Sequence, residues 1–147
     1  MDNIQLEIKE HETVLSSQYN GVVVLPIGLK SLNGFEFKHS PITPYEAELA
    51  IEYIENIIIP ARKYFTADKI SVSCSDHNLY MVQGNELKAG SLITTSNIER
   101  VFNELVNVIN GSPAHLSSIP TNSMFSAFLL IIREITHHWM LDGITLA

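Results

Sequence analysis

Four polar side chains lie close together in the sequence and could hold a small ligand: Ser73, Ser75, Asp76 and His77. Hydroxyl, carboxylate and imidazole groups all form hydrogen bonds with polar ligands. The alternating residues 69–74 predict a strand that ends among them, and open α/β folds bind their ligands at the carboxyl ends of strands. We therefore treat these four residues as a candidate ligand site, with a simple polar turn as the alternative.

Cys74 lies inside this group and, with Asp76 and His77, could be drawn as a thiol nucleophile with its base. Side chains that are adjacent in sequence seldom align for proton transfer, and no donor for an oxyanion is identifiable. A buried cysteine at the end of a strand is the better interpretation. No catalytic residue is assigned.

Histidines and carboxylates elsewhere raise the question of a metal site. His137 and His138 are adjacent, so on a helix they point about 100° apart and cannot form the usual i, i+4 ligand pair. Arg133 and Glu134 are expected to form a surface ion pair. Several carboxylates of the first predicted helix flank its apolar stripe and are expected to be solvated: Glu46, Glu48, Glu52 and Glu55. No metal and no cofactor is predicted.

The elements that position these residues follow from the spacing of the apolar side chains. Alternation predicts strands over 4–10 and 12–17, and an apolar run predicts a strand over 21–27 that is buried on both faces. Thr43–Glu46 is a capping box with proline at the first helical position, so a helix begins there. Pro60 is expected to kink or end that helix.

The second half of the chain predicts one more strand and two more helices after the strand over 69–74. Ser96–Glu99 is a second capping box, and Gly111 marks the end of its helix. A third helix follows Ser123, and 144–146 predicts a last strand. The order β-β-β-α-β-α-α-β predicts an α/β fold with a mixed sheet and flanking helices, and 147 residues suit a single domain, 1–147.

Three stretches, residues 24–32, 92–109 and 119–146, contain local motifs of a known family. Residues 24–32 read Val-Leu-Pro-Ile-Gly-Leu-Lys-Ser-Leu. They resemble the stretch that follows the second phosphate loop of the exopolyphosphatase and guanosine pentaphosphate phosphohydrolase family. Residues 92–109 resemble a helix of that family, and 119–146 resemble the run that leads to its "ltvs" strand. The resemblance spans nearly the whole chain. It implies the C-terminal (second) lobe of an actin-like ATPase superfold protein, a ribonuclease H-like unit.

The phosphate-binding motifs of that family are not found at the matching positions. Met1–Glu7 stands where the family has Asp-Ile-Gly-Gly-Gly-Ser-Thr-Glu and contains no glycine. Cys74–Asp76 replaces a Gly-Gly-Thr, and Ser123–Phe125 replaces an Arg-x-Asp. The other lobe of the family, with its phosphate loop and general-base glutamate, has no counterpart. Phosphoryl transfer depends on positioning and charge neutralisation, so the resemblance implies that this chain does not hydrolyse phosphate by itself.

The composition indicates which classes of partner to exclude and which cellular compartment to expect. A net charge of -7, from 16 acidic and 9 basic residues, argues against nucleic-acid binding. No apolar run approaches the roughly 20 residues that cross a membrane. Met1–Asn3 is polar and acidic, unlike a signal peptide, and there is one cysteine. We therefore expect a cytoplasmic protein.

Three functions remain open from the sequence. The first is a non-catalytic interaction or regulatory module that forms a homodimer or binds a protein partner, because a lone lobe exposes apolar surface that would meet its sister lobe. The second is a component of a split polyphosphate or guanosine pentaphosphate phosphohydrolase that needs a second lobe. The third is a module that binds a small phosphate ligand through Ser73–His77.

Overall fold

The computed structural model describes residues 1–83 and 88–147. Within these residues, six strands and four α-helices make up the fold. The strands are β1 (Asp2–Ile8), β2 (Thr13–Ser17), β3 (Gly21–Leu25), β4 (Ile70–Cys74), β5 (Leu92–Thr94) and β6 (Gly143–Leu146). The α-helices are α1 (Pro44–Ala61), α2 (Asn78–Gln83), α3 (Thr95–Ile109) and α4 (Ser123–His138), with 3-10 turns at Arg62–Tyr64 and Ala114–Leu116.

The strands form one mixed sheet in the order β3-β2-β1-β4-β6-β5. β1, β4 and β6 are parallel, whereas β2 is antiparallel to both of its neighbours and β5 is antiparallel to β6. The carboxyl ends of the three parallel strands therefore meet at one edge of the sheet, which we call the carboxyl edge. The predicted α/β class with a mixed sheet and flanking helices is confirmed.

Two short elements, α2 and β5, were not predicted from the sequence. α2 has 6 residues and β5 has 3, so neither is long enough to show a clear apolar period. Their presence also changes the start of α3. Its N-cap is Thr94, whose hydroxyl accepts a hydrogen bond from the Asn97 amide at 3.2 Å, so the predicted start at Ser96 was wrong. Thr94 ends β5 and the helix follows without a loop.

The helices pack against one face of β1. Along that strand the side chains alternate between buried Ile4, Leu6 and Ile8 and exposed Asn3, Gln5 and Glu7. α4 lies at the centre of the helical layer, in contact with both α1 and α3. Of its 16 residues, 11 are buried, including Phe125, Phe128 and Ile132. Within residues 1–83 and 88–147, no helix covers the opposite face over β1, which we call the open face.

The strand predicted to be buried on both faces, 21–27, is an edge strand instead. β3 pairs with β2 alone, and its Val22 and Val24 are 65% and 52% exposed. Val22 pairs with Ser16 and Val24 with Val14 in the adjacent strand, so the two valines lie on the open face. An apolar run alone does not distinguish a central strand from an edge strand, which explains the error.

The predicted start of α1 is confirmed, but Glu46 is not solvated. The Thr43 hydroxyl accepts from the Glu46 amide, and the Glu46 carboxylate accepts from the Thr43 amide at 3.0 Å. That carboxylate also accepts from the Lys38 amide at 2.6 Å and bonds the His39 ring at 3.0 Å. Glu46 therefore fixes the incoming loop to the helix. α1 ends one residue after Pro60, as expected.

Gly28 allows the segment after β3 to lie directly against the turn between β1 and β2. A Cβ atom at this position would lie 2.6 Å from the Lys9 carbonyl oxygen and from the His11 nitrogen. The neighbouring amides of Leu29 and Lys30 donate to the carbonyls of Lys9 and Glu10 at 2.9 and 2.6 Å. Only glycine fits so close to another backbone.

Gly28→Ala is expected to lower the free energy of unfolding by about 3 kcal/mol, because the atoms that the new methyl meets are backbone atoms that cannot rotate away. Urea unfolding followed by circular dichroism measures this loss. Gly34→Ala is the comparison: its Cβ would meet no atom within 4 Å, and it suffers only from a φ of +91°. A loss at Gly28 no larger than that at Gly34 would contradict the close contact.

Glu46→Gln is expected to destabilise the protein by about 2 kcal/mol at neutral pH, because it removes a charged hydrogen-bond acceptor. Burial raises the pKa of Glu46. The hydrogen bonds from Lys38, Thr43 and His39 lower the pKa by a larger amount, so it lies below its ordinary value of 4.5. The carboxylate thus stabilises the fold above about pH 4.5, and this contribution disappears as the pH falls through the lowered pKa.

Unfolding curves of wild type and Glu46→Gln, recorded at neutral and acidic pH, should therefore converge in acid. Glu48→Gln, at an exposed position of the same helix, is the matched control and should change little at either pH. A constant difference between wild type and Glu46→Gln across this range would contradict the assignment.

Candidate functional site

The structure brings two of the four predicted site residues, Ser73 and Ser75, into one cavity at the carboxyl edge. The cavity has a volume of about 230 Å³ and lies between β1, β2 and β4, where Gln5, Glu7 and Ser16 also line it. Ser73 pairs with Gln5 across the β1–β4 ladder. The cavity therefore offers hydroxyl and amide groups and one carboxylate to a polar ligand.

Asp76 and His77, the other two predicted residues, do not line this cavity. The Asp76 carboxylate accepts a hydrogen bond from the Asn78 amide at 2.9 Å, at the start of α2. The His77 ring stacks on Tyr80, with 5.9 Å between the ring centroids. Both side chains thus contact α2 and leave the two serines as the part of the predicted site that faces the cavity.

Cys74 is a buried thiol at the end of β4, as the sequence indicated. Burial, together with the negative charges of Asp76 and Glu7, raises its pKa to about 11, although a backbone hydrogen bond at Asp76 acts in the opposite direction. A thiol with this pKa is almost entirely protonated near neutral pH, whereas the nucleophile is the thiolate. Cys74 is therefore unsuited to nucleophilic catalysis.

The charge at this cavity is unfavourable for an anion. Its lining, drawn from the described residues, contains the carboxylate of Glu7 and no lysine or arginine. Asp76 lies close enough to act on the Cys74 thiol through its charge. A phosphate group placed here would meet the carboxylate of Glu7, with that of Asp76 nearby, and no side-chain cation among the lining residues.

The turn between β1 and β2, residues 9–12, occupies the carboxyl end of β1. Its sequence is Lys-Glu-His-Glu. The Lys9 amide donates to the Glu12 carbonyl at 2.8 Å, which makes the turn tight. The segment after Gly28 bonds the same turn from outside, as described above. A glycine-rich loop that wraps an anion with free amides requires a different backbone from this one.

The family resemblance placed Met1–Glu7 at the position of the glycine-rich loop. In the structure, all of this stretch except Met1 belongs to β1. Asp2 lies at the amino end of the strand, opposite to the carboxyl edge. Its carboxylate is buried and accepts hydrogen bonds from the Ser17 hydroxyl and the Gln18 amide. Asp2 therefore holds the end of β2 in place.

A second polar cluster, which the sequence reasoning missed, lies between α1 and α4. It contains Glu55, Glu134 and His138. His138 Nε2 is 2.6 Å from Glu55 Oε2 and 3.5 Å from Glu134 Oε1. The available signal was the i, i+4 spacing of Glu134 and His138, which places both on one helix face. Comparing His138 only with its neighbour His137 overlooked it.

Glu134 is fully buried, so the predicted surface pair with Arg133 was wrong. Arg133 donates to Glu134 Oε2 at 2.5 Å and to Glu99 Oε1 at 2.9 Å, and its guanidinium also lies 4.4 Å from the centre of the Phe102 ring. Burial lowers the pKa of Arg133, but the two carboxylates raise it more, so the guanidinium stays charged. Arg133 and Glu134 are thus an internal pair within α4, and the bond from Arg133 to Glu99 links α4 to α3.

Cys74 in the folded protein is expected to react with a disulfide reagent such as Ellman's reagent at least about 100-fold more slowly than in the urea-unfolded chain, because of burial and the raised pKa. Absorbance at mildly alkaline pH follows the reaction. Cys74 is the single cysteine of the sequence, so no other thiol contributes. Equal rates in the folded and unfolded chains would show that the thiol is open to solvent.

Comparisons with known proteins bear on the fold. No protein-family model matches the sequence, and no curated protein is significantly similar to it. Among solved structures, the Ppx/GppA enzyme of Aquifex aeolicus aligns with a TM-score of 0.70 at 15% identity, covering 100% of this chain and 53% of that one. An exopolyphosphatase from Cytophaga hutchinsonii aligns with a TM-score of 0.67 at 10% identity, covering 99% and 53%.

An exopolyphosphatase-like protein gives the same result, with a TM-score of 0.67 at 9% identity, covering 99% of this chain and 55% of the other. At these identities the similarity establishes the fold. The chain spans about half the length of each of these structures. The predicted resemblance to one lobe of this family is thereby confirmed, whereas the assignment to the second lobe stays a prediction. The chain has the actin-like fold of about half of a Ppx/GppA protein.

Proposed function

We propose that this chain is a non-catalytic, exopolyphosphatase-related interaction module that pairs with a second copy of itself through the edge strand β3. The observation that carries the proposal is the chemistry of this edge. β3 reads Gly-Val-Val-Val-Leu, and none of its residues is charged. Val22 and Val24 project from it with more than half of their surfaces exposed.

Natural edge strands are usually protected from pairing by lysine, proline, a bulge or a covering element. β3 pairs with β2 in uninterrupted register from Gly21 to Leu25. Within the described ranges, its other side pairs with no strand. Pro26 comes only after the strand ends. The unpaired amides and carbonyls of β3 are therefore available to a strand from another molecule.

Antiparallel pairing of β3 with β3 of a second copy would join the two sheets about a two-fold axis. Such an interface uses the same surface from both partners, as in most homodimers. It would also bring together the exposed valines of both copies on the open face, next to Val14. Tyr19, which is 64% exposed just before β3, would add an aromatic contact at each end.

The carboxyl edge supports the non-catalytic part of the proposal. The tight turn at 9–12 and the carboxylates of Glu7 and Asp76 leave that edge poorly suited to phosphate, and Cys74 is held as a thiol. We place the module in the cytoplasm, where a lone thiol remains reduced. The alternatives are a component of a split phosphohydrolase and a binding module for small phosphate ligands.

Val22→Lys combined with Val24→Lys is expected to convert a dimer into a monomer, because it places like charges at the β3 edge and removes its apolar surface. Sedimentation equilibrium of the purified chain measures the mass directly. Wild type should sediment as a concentration-dependent dimer. The double variant should remain monomeric at the same concentrations and keep its circular dichroism spectrum.

Leu116→Lys combined with Met140→Lys is the matched control, since it changes two side chains that are even more exposed and lie outside the sheet. This variant should dimerise like wild type. Monomeric wild type at all concentrations, or a control that dissociates equally, would contradict pairing through β3.

Two other results would favour the alternatives. Release of phosphate from polyphosphate that is lost in Asp76→Asn would favour the split phosphohydrolase. Stabilisation of the fold by phosphate that is lost in Ser73→Ala would favour the ligand module.

A further inference from the structure

We propose that Glu55, Glu134 and His138 form a binding site for a divalent transition-metal ion, with Zn²⁺ as the ion that fits these ligands best. Glu55 comes from α1, and the other two lie one helical turn apart on α4. Their ligand atoms all lie within 4.8 Å of one another. Imidazole nitrogen and carboxylate oxygen are both ordinary zinc ligands. The bound ion would cross-link the two helices.

The buried carboxylate of Glu134 is the feature that points to a ligand. Its side chain has no exposed surface, and its Oε1 atom faces His138 Nε2. Among the residues that the structure describes, this oxygen accepts no hydrogen bond. A buried oxygen without a partner is costly to the folded state. A cation held between Glu134 and His138 would satisfy it.

The local charge is balanced by a divalent ion. Arg133 contacts Glu134 and Glu99, while Glu55 contacts His138 from the other side. When the imidazole is neutral, the three carboxylates exceed the one guanidinium by two negative charges. A doubly charged cation therefore leaves this partly buried cluster neutral, which lowers the cost of burying it.

Only a small movement of side chains is needed to complete the coordination. Zinc ligands lie about 2.0–2.2 Å from the ion, which separates them from one another by roughly 3.3 Å in a tetrahedral site. Glu55 Oε2 and His138 Nε2 are closer than this, at 2.6 Å, because a hydrogen bond connects them in the absence of an ion. The Glu55 side chain is 34% exposed, so it has room to rotate outward.

Solvent reaches the cluster through His138. This residue also lines a surface cavity of about 500 Å³, next to Arg62, Trp139 and Asp142. Of the three proposed ligands, His138 is the one that lines this cavity, so an ion that enters there would meet its imidazole first. A zinc site with three protein ligands leaves one position for water, unlike a structural site that is closed by four protein ligands.

A proton competes with the metal ion for the same groups. The charged and titratable groups around the imidazole of His138 are Glu55 on α1, Glu134, Arg133 and His137 on α4, and Glu99 on α3 behind Arg133. The imidazole must be neutral, and the carboxylates ionised, to bind the metal ion.

Isothermal titration of the full chain with Zn²⁺ tests the proposal. Wild type should bind one ion per chain. Glu55→Gln and His138→Gln each remove one ligand at nearly constant size and should weaken binding by about tenfold or more. Co²⁺ offers a second readout, because a four-coordinate site gives visible absorption bands that His138→Gln should abolish.

Glu52→Gln and His115→Gln are the matched controls. The first changes an exposed carboxylate on the same helix as Glu55, and the second an exposed imidazole outside the cluster. Both should bind Zn²⁺ as wild type does. Circular dichroism confirms that each variant is folded. Failure of wild type to bind Zn²⁺, or unchanged affinity in both Glu55→Gln and His138→Gln, would overturn the metal site.

Discussion

The burial of α4 is the interaction on which the rest of the structure depends. This helix lies against the sheet and contacts α1 on one side and α3 on the other. At its end, the Trp139 ring packs on Phe65, and the indole nitrogen donates to the Ile58 carbonyl of α1 at 2.8 Å. Most of its buried residues are aliphatic or aromatic, so their removal from water supplies much of the stability. The few polar residues of α4 must then find partners inside the protein, and Glu134 does so through Arg133 at one of its two carboxylate oxygens.

At the carboxyl edge, where α/β folds usually bind ligands, a tight turn occupies the end of β1. The three parallel strands still end together there, as in folds that bind ligands at this edge. The β1–β2 turn is short and bonded from outside by the segment at Gly28, and the cavity beside it contains a carboxylate. The remaining cavity is small and polar. The fold of the Ppx/GppA structures therefore recurs here with a small polar cavity at this edge.

Patterns confined to a few neighbouring residues were predictable from the sequence. The capping box at Thr43 depends on residues three positions apart, and the alternation in β1 depends on one strand, so both were found. The edge position of β3 and the burial of Glu134 depend on what packs against them from distant parts of the chain. The fold class was thus predictable, whereas the cluster of Glu55, Glu134 and His138 was not. Of the predicted ligand site, only Ser73 and Ser75 share a cavity.

The contact at Gly28 has a consequence for any attempt to engineer phosphate binding into this scaffold. Residues inserted between Lys9 and Glu12 would be pushed against the segment that Gly28 begins, and they would break the bonds from the Leu29 and Lys30 amides. A longer, glycine-rich turn can therefore be accommodated only if the loop after β3 is redesigned at the same time. Because the β1–β2 turn and the segment after β3 are bonded to each other, we expect their sequences to change together.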